Sequence, residues 1–135
     1  MQDWHNETNE TDFSGNEGFT YRIDYTDGSY YYGKKNFLSR TTLPPLKGYK
    51  RKRKVVKESN WRKYKGSSKH GKLKCVQKKT ILKLFKTKGA LTYGEVELLV
   101  TERVLFKLDC LNDNISGKFY AKNIGRKKIK WREHG

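Results

Sequence analysis

The stretch Tyr21–Lys35, YRIDYTDGSYYYGKK, decides the fold. Two runs rich in tyrosine and isoleucine flank Asp27-Gly28, and Asp-Gly between such runs predicts a β-hairpin closed by a two-residue type I′ turn. By strand alternation Tyr21, Ile23 and Tyr25 share one face, and the return strand offers either Tyr30 with Tyr32 or Tyr31 with Gly33. Several phenols therefore fall on one small sheet. Tyrosine is also a good strand former that commonly does no more than pack, so the rest of the chain must say whether these hydroxyls act.

A chain of 135 residues fits one domain with a modest core. Its hydrophobic content is 34% and its charged content 33%, so that core is small, while 13% aromatics argue for a folded centre. The net charge of +17 is unevenly spread. Residues 1–33 hold seven acids and one base, Arg22, for −6, and residues 34–135 carry +23. Solubilising lysines are normally interspersed with acids, whereas a field of one sign predicts a polyanionic partner, most commonly nucleic acid. Cys75 and Cys110 lie 35 positions apart without a CxxC, and His5, His70 and His134 have no ligand spacing. That argues against structural zinc and for free thiols in a reducing compartment. No window is long and apolar enough for a membrane span and the acidic start lacks leader features, so a soluble, cytoplasmic protein is expected.

Residues 1–17, MQDWHNETNETDFSGNE, are acidic and aperiodic. They predict a flexible, disordered tail that Trp4 or Phe13 could anchor, and that could fold back over a basic cleft. Beyond the hairpin, Pro44-Pro45 interrupts regular structure. Residues 48–72 then form a basic run interleaved with Tyr49, Trp61 and Tyr64, a pattern suited to gripping phosphates while rings meet sugars or bases. The candidate nucleic-acid contacts are Lys50, Arg51, Lys52, Arg53, Lys54, Trp61, Arg62, Lys63, Tyr64 and Lys65. A disordered basic arm or a localisation signal has the same composition. Trp61 and Tyr64, three apart, predict a helical turn. The segment TILKLFKT, residues 80–87, predicts a third strand, although a buried helical turn has the same pattern. Leu91, Val96, Leu98, Leu99, Val104 and Leu105 predict an amphipathic helix of about four turns within residues 89–108. Residues 111–114, LNDN, predict a turn, and residues 122–135 a basic extension.

These pieces resemble GIY-YIG nucleases, phage homing or Seg-type members in particular. FTY (Phe19–Tyr21) and YYG (Tyr31–Gly33) are similar to the family's two-part signature, with nine residues between Tyr21 and Tyr31. YKGSS (Tyr64–Ser68), ILKLFKTKGALTYGE (Ile81–Glu95) and LNDNISGKFY (Leu111–Tyr120) follow in the family's order. The resemblance implies an α+β domain over residues 18–121, with a small three-stranded antiparallel sheet flanked by helices. It implies one divalent ion, Mg²⁺ or Mn²⁺, held by Glu95. Glu97 is its rival, but lies about 200° around the helix, so only one of the two can face the site.

Tyr21 corresponds to the residue cast as proton acceptor from the attacking water. A phenol with a pKa near 10 is a poor base unless a metal and lysines lower that value. Tyr31 matches the second-motif tyrosine, which orients water or phosphate, and Tyr30 and Tyr32 read as packing or substrate-contacting residues. The family's phosphate-neutralising cation falls on Arg40 or Lys35, which differ in whether they can grip phosphate bidentately. Asn112 resembles the closing asparagine, holding backbone or phosphate near the metal, with Asn114 beside it. The function so implied is metal-dependent hydrolysis of phosphodiester bonds in DNA, most readily double-stranded, with no small-molecule cofactor and no membrane. The alternatives are a non-catalytic basic nucleic-acid-binding protein and a basic inhibitor that occupies another protein's nucleic-acid groove.

Overall fold

A computed structural model describes residues 4–8, 13–66 and 71–122. The hairpin pairs β2 (Gly18–Tyr25) with β3 (Tyr30–Asn36). Its turn is not type I′. Tyr25 N donates to Ser29 O at 2.9 Å, Gly28 N donates to Tyr25 O at 3.1 Å, and Gly28 has φ +89° while Asp27 stays out of the left-handed region. That is a three-residue loop ending in a glycine bulge. The reason is local: the Asp27 carboxylate accepts from Ser29 N at 3.0 Å and from the Ser29 hydroxyl, an Asx turn, and pairs with Lys74.

The hairpin sits in a mixed four-stranded sheet of order β1-β6-β2-β3. Strand β6 (Val76–Phe85) runs antiparallel to β2 and begins four residues before the expected third strand. Strand β1 (Trp4–Asn6) pairs with β6 in parallel, from Trp4 opposite Lys79 to Asn6 opposite Ile81. The expected loose tail is thus corrected at its start. The Trp4 ring packs edge-on against Phe19 at 5.1 Å and Tyr21 at 5.6 Å, and its indole N–H donates to Trp61 O at 2.7 Å. Burying one indole outweighs the acidic composition around it. Phe13 likewise stacks on Phe37 at 5.2 Å.

Tyr21 pairs with Gly33 and Ile23 with Tyr31, so Tyr31 and Gly33 share the face of Tyr21, Ile23 and Tyr25. That face builds an aromatic core from Phe19, Tyr21, Ile23, Tyr25, Phe37, Trp61 and Ile81. Residues 60–64 cover part of it as a single tight turn, with Lys63 N donating to Asn60 O and Tyr64 N to Trp61 O. The other face presents Tyr32, packed with Leu99, Val104, Leu105, Cys110 and Ile115.

The covering helix α1 (Lys88–Thr101) starts at Thr87, whose hydroxyl accepts from Ala90 N at 3.1 Å. Gly94 lies against the Phe85 ring, where a Cβ would collide, so the helix approaches β6 closely. The helix ends sooner than the apolar spacing suggests, because Arg103 turns left-handed at φ +51° and Val104–Phe106 continues as a 3₁₀ turn. Among the described residues α1 is the only α-helix, so the expectation of a three-stranded sheet flanked by helices gives way to four strands and one helix. A second pair, β4 (Leu38–Leu43) and β5 (Arg53–Glu58), forms a separate antiparallel ribbon, and β7 (Asn114–Ile115) pairs with β8 (Phe119–Tyr120). No helix among the described residues is long and apolar enough to cross a membrane. Ser67–His70 and most of the expected basic extension, residues 123–135, lie outside the described residues.

Candidate active site

Strand β3 lies at the edge of the sheet, and its outer backbone groups are met in succession. Tyr30 N donates to Asp109 O at 2.9 Å, and Leu111 N donates to Tyr30 O at 2.8 Å. Two residues on, the buried Asn112 side chain acts as a rung: Tyr32 N donates to its Oδ1 at 2.9 Å and its Nδ2 donates to Tyr32 O at 2.8 Å. Two further on, the Lys34 backbone N–H faces the Glu95 carboxylate. An edge strand that would otherwise invite pairing is thereby met by backbone at Tyr30 and by side chains further along. Helix α1 aims Glu95 at this edge and leaves Glu97 exposed, as a 200° separation requires.

Tyr21 reaches the same edge from the sheet's aromatic face. Its ring lies across Gly33, where a Cβ would sit 2.6 Å from Cζ. Tyr64 stands edge-on to it with centroids 5.9 Å apart, and Tyr31 lies 6.3 Å away. Above them the chain passes at Gly66, φ +89°, where a Cβ would lie 3.7 Å from both the Tyr21 hydroxyl and the Tyr31 ring. Glycine takes that conformation without strain. Lys35 Nζ sits 4.3 Å over the Tyr64 ring, which ties a cation to the group. Tyr21, Tyr31, Tyr64, Lys35 and Glu95 thus come together from β2, β3, the 60–66 segment and α1.

Electrostatics here run against a phenolate. Burial raises the Tyr21 pKa, and Tyr64, Tyr31 and the Glu95 charge push it further the same way. This is opposite in direction to what a lysine-lined cleft would produce. Burial also raises the Glu95 carboxyl, opposed by the Lys34 charge and backbone N–H, and burial lowers the Lys35 ammonium. Each group is held toward its neutral form by desolvation.

Other expected residues lie elsewhere. Arg40, on β4, makes a bidentate pair with Glu17 at 2.8 and 3.0 Å, and Glu17 also accepts from Asn36 Nδ2 at 2.8 Å. Of the two candidate cations, Lys35 is the one in the tyrosine group. Asn114 accepts from Gly117 N at 3.0 Å within the β7–β8 turn. Trp61, expected to meet nucleic acid, is 4% exposed and packs on Phe19, Phe37 and Phe13, so its ring is core. Lys50, Arg51, Lys52, Arg53, Lys54, Arg62, Lys63 and Lys65 are exposed. The place of Tyr64 within the Tyr21 group went unread in the sequence; the only trace of it there is the glycine of YKG.

Residues 4–124 match the family model SegE_GIY-YIG, described as putative endonuclease segE, GIY-YIG domain. The chain belongs to the GIY-YIG family. No curated protein and no solved structure matches it. The match to the GIY-YIG domain starts at Trp4, in keeping with β1 being part of the sheet. In this GIY-YIG domain the donor set at the candidate site is the single carboxylate of Glu95, and no cluster of three or more His, Cys, Asp or Glu among the described residues could cage an ion. One carboxylate fits an ion such as Mg²⁺, which keeps several waters and takes further oxygens from substrate phosphates.

Proposed function

We propose that this chain is a metal-dependent DNA endonuclease of phage or mobile-element type, acting on double-stranded DNA in the cytoplasm. The observation that carries the reading is the meeting of Tyr21, Tyr31, Lys35 and Glu95 at the edge of β3. Phosphodiester hydrolysis needs a water aligned opposite the leaving oxygen and positive charge on the phosphoryl group. Glu95 would hold one Mg²⁺ or Mn²⁺, which when bound supplies Lewis-acid stabilisation of the phosphoryl and leaving oxygens. Tyr21, kept a neutral phenol by burial, orients the attacking water through its hydroxyl, and Tyr64 braces its ring edge-on. Tyr31 bounds the same space, and Lys35 neutralises the phosphate from the side opposite the carboxylate. Asn112 does not enter the chemistry; by pinning Tyr32 it fixes the edge on which Lys34 and Glu95 meet.

Supercoiled plasmid incubated with the chain and Mg²⁺ tests the reading, beside EDTA, Glu95→Gln and Tyr21→Phe controls. Nicking or linearisation that needs the metal, and that both substitutions abolish without loss of DNA binding, is the expected result. Binding that falls about a thousandfold between 50 and 200 mM salt accompanies it if about six phosphates are neutralised. Binding without cleavage in Mg²⁺ or Mn²⁺ would overturn it in favour of a non-catalytic nucleic-acid-binding module.

A further inference from the structure

The β4–β5 ribbon contributes little to either core. Every residue of β5 is exposed, Val56 at 55%, and a two-stranded ribbon is marginal on its own. Apart from Glu58 at the end of β5, its charge is of one sign: between Asp27 and Glu58 the chain has no acid, while Lys47, Lys50–Lys54, Lys57 and Arg40 lie in or beside the ribbon. Among the described residues, the ribbon's side-chain ties to the body lie on one face. Arg40 grips Glu17, and Glu58 accepts from Trp61 Nε1 at 3.0 Å and from Arg62 Nε at 2.9 Å. The register, Leu38 opposite Glu58 and Arg40 opposite Val56, puts Arg40 and Glu58 on the same side. Thr41 opposite Val55, Ser39 opposite Lys57 and Leu43 opposite Arg53 then make up the other side.

We propose that this ribbon is an arm that enters the major groove of double-stranded DNA, presenting Thr41, Arg53, Val55 and Lys57 to base edges while Lys50 and Lys52 of the connecting loop hold the flanking phosphates. The inference rests on the DNA-cutting reading above and adds the element that reads the substrate. A major groove about 12 Å wide admits a two-stranded ribbon, whose strands lie about 4.8 Å apart. The chemistry matches as well: an arginine fork recognises guanine O6 and N7, and threonine or valine methyls meet the thymine methyl. Arg53 Nε donates to Pro44 O at 3.2 Å, which fixes the guanidinium's root on the ribbon. Duplex RNA, with a deep and narrow major groove that side chains cannot read, is rejected by the same arm.

The test is binding of the full chain to a mixed-sequence DNA duplex in EDTA, read by fluorescence anisotropy. Methyl green, which occupies the major groove, displaces the protein, and distamycin, which occupies the minor groove, does not. Arg53→Ala/Lys57→Ala weakens binding by about tenfold or more, and the charge-matched body variant Lys86→Ala/Lys118→Ala by less than about threefold. Thr41→Ala/Val55→Ala leaves the salt dependence unchanged and flattens base preference among duplexes recovered from a random pool. Should a ribbon variant unfold, as seen by thermal denaturation, the competitor comparison on the unaltered chain decides. Displacement by distamycin alone, or ribbon variants that bind like the unaltered chain, overturns the arm and leaves the nuclease intact. Major-groove binding in a chain that cleaves no plasmid keeps the arm and overturns the nuclease, and failure to bind duplex DNA at all overturns the arm.

Discussion

The ring of Tyr21 crosses the backbone of Gly33 with no space for a side chain between them. Gly33 is the residue opposite Tyr21 in the hairpin, so the glycine is what lets the phenol reach the strand edge where Glu95 sits. Gly33→Ala forces the ring aside. We expect a loss of stability of about 1–3 kcal/mol, as for overpacked cores, read as a lower midpoint of thermal unfolding, together with loss of plasmid cleavage.

Glu95 and Glu97 separate cleanly in their expected effects. Glu95→Gln lowers cleavage on the order of a hundredfold, whereas Glu97→Gln, at an exposed position, leaves it unchanged. Burial raises the Glu95 pKa above 4.5 in the folded chain. Its contribution to stability is therefore complete below about 4.5 and is lost as pH rises through the raised value. Glu95→Gln then raises the unfolding midpoint at pH 7 and changes little at pH 4, a gain in stability at the expense of activity. Melts of both proteins at the two pH values check this.

Lys35 and Arg40 can be told apart by single-turnover cleavage. Lys35→Ala removes the cation from the tyrosine group and slows cleavage by about tenfold or more. Arg40→Ala breaks only the pair with Glu17, and its cleavage rate stays within about threefold of the unaltered chain.

The Tyr25 hydroxyl is buried and has no hydrogen-bond partner among the described residues, and burial pushes its pKa up to about 12. Tyr25→Phe relieves that unmet desolvation and stabilises the chain by about 1 kcal/mol. Denaturant unfolding at constant slope checks the gain.

The hairpin turn carries its own pH dependence. Hydrogen bonding to Lys74 and then to Ser29 holds Asp27 well below its ordinary 3.8. The resulting stability is present above about 3.8 and is lost as pH falls through the lowered value. Asp27→Asn accordingly lowers the unfolding midpoint at pH 7, and the difference from the unaltered chain narrows as the pH falls below about 3.8.

How much of this was legible without coordinates depends on the range of the interaction. Strand alternation and the Asp-Gly pair placed Tyr21, Ile23 and Tyr25 on one buried face, and the helical spacing of Leu91 and Leu99 placed α1, because both signals are carried by near neighbours in the chain. The turn type was misread, since a side-chain contact from Asp27 to Ser29 overrode the pair statistics. Trp61 was read as a nucleic-acid contact from the bases around it, and composition cannot register that its ring fills the space between Phe19 and Phe37.

The sequence by itself determined the hairpin, the third strand, the position of the helix, the charge asymmetry and the order of motifs that resembles GIY-YIG nucleases. All of these follow from local propensity, periodicity and composition. Only the tertiary structure decided that Trp4 starts an edge strand, that Tyr64 stands against Tyr21, that Glu95 rather than Glu97 faces Lys34, and that Lys35 rather than Arg40 joins the tyrosines. Those outcomes depend on groups far apart in the chain competing for the same buried space and the same strand edge, and no local pattern encodes which of them wins.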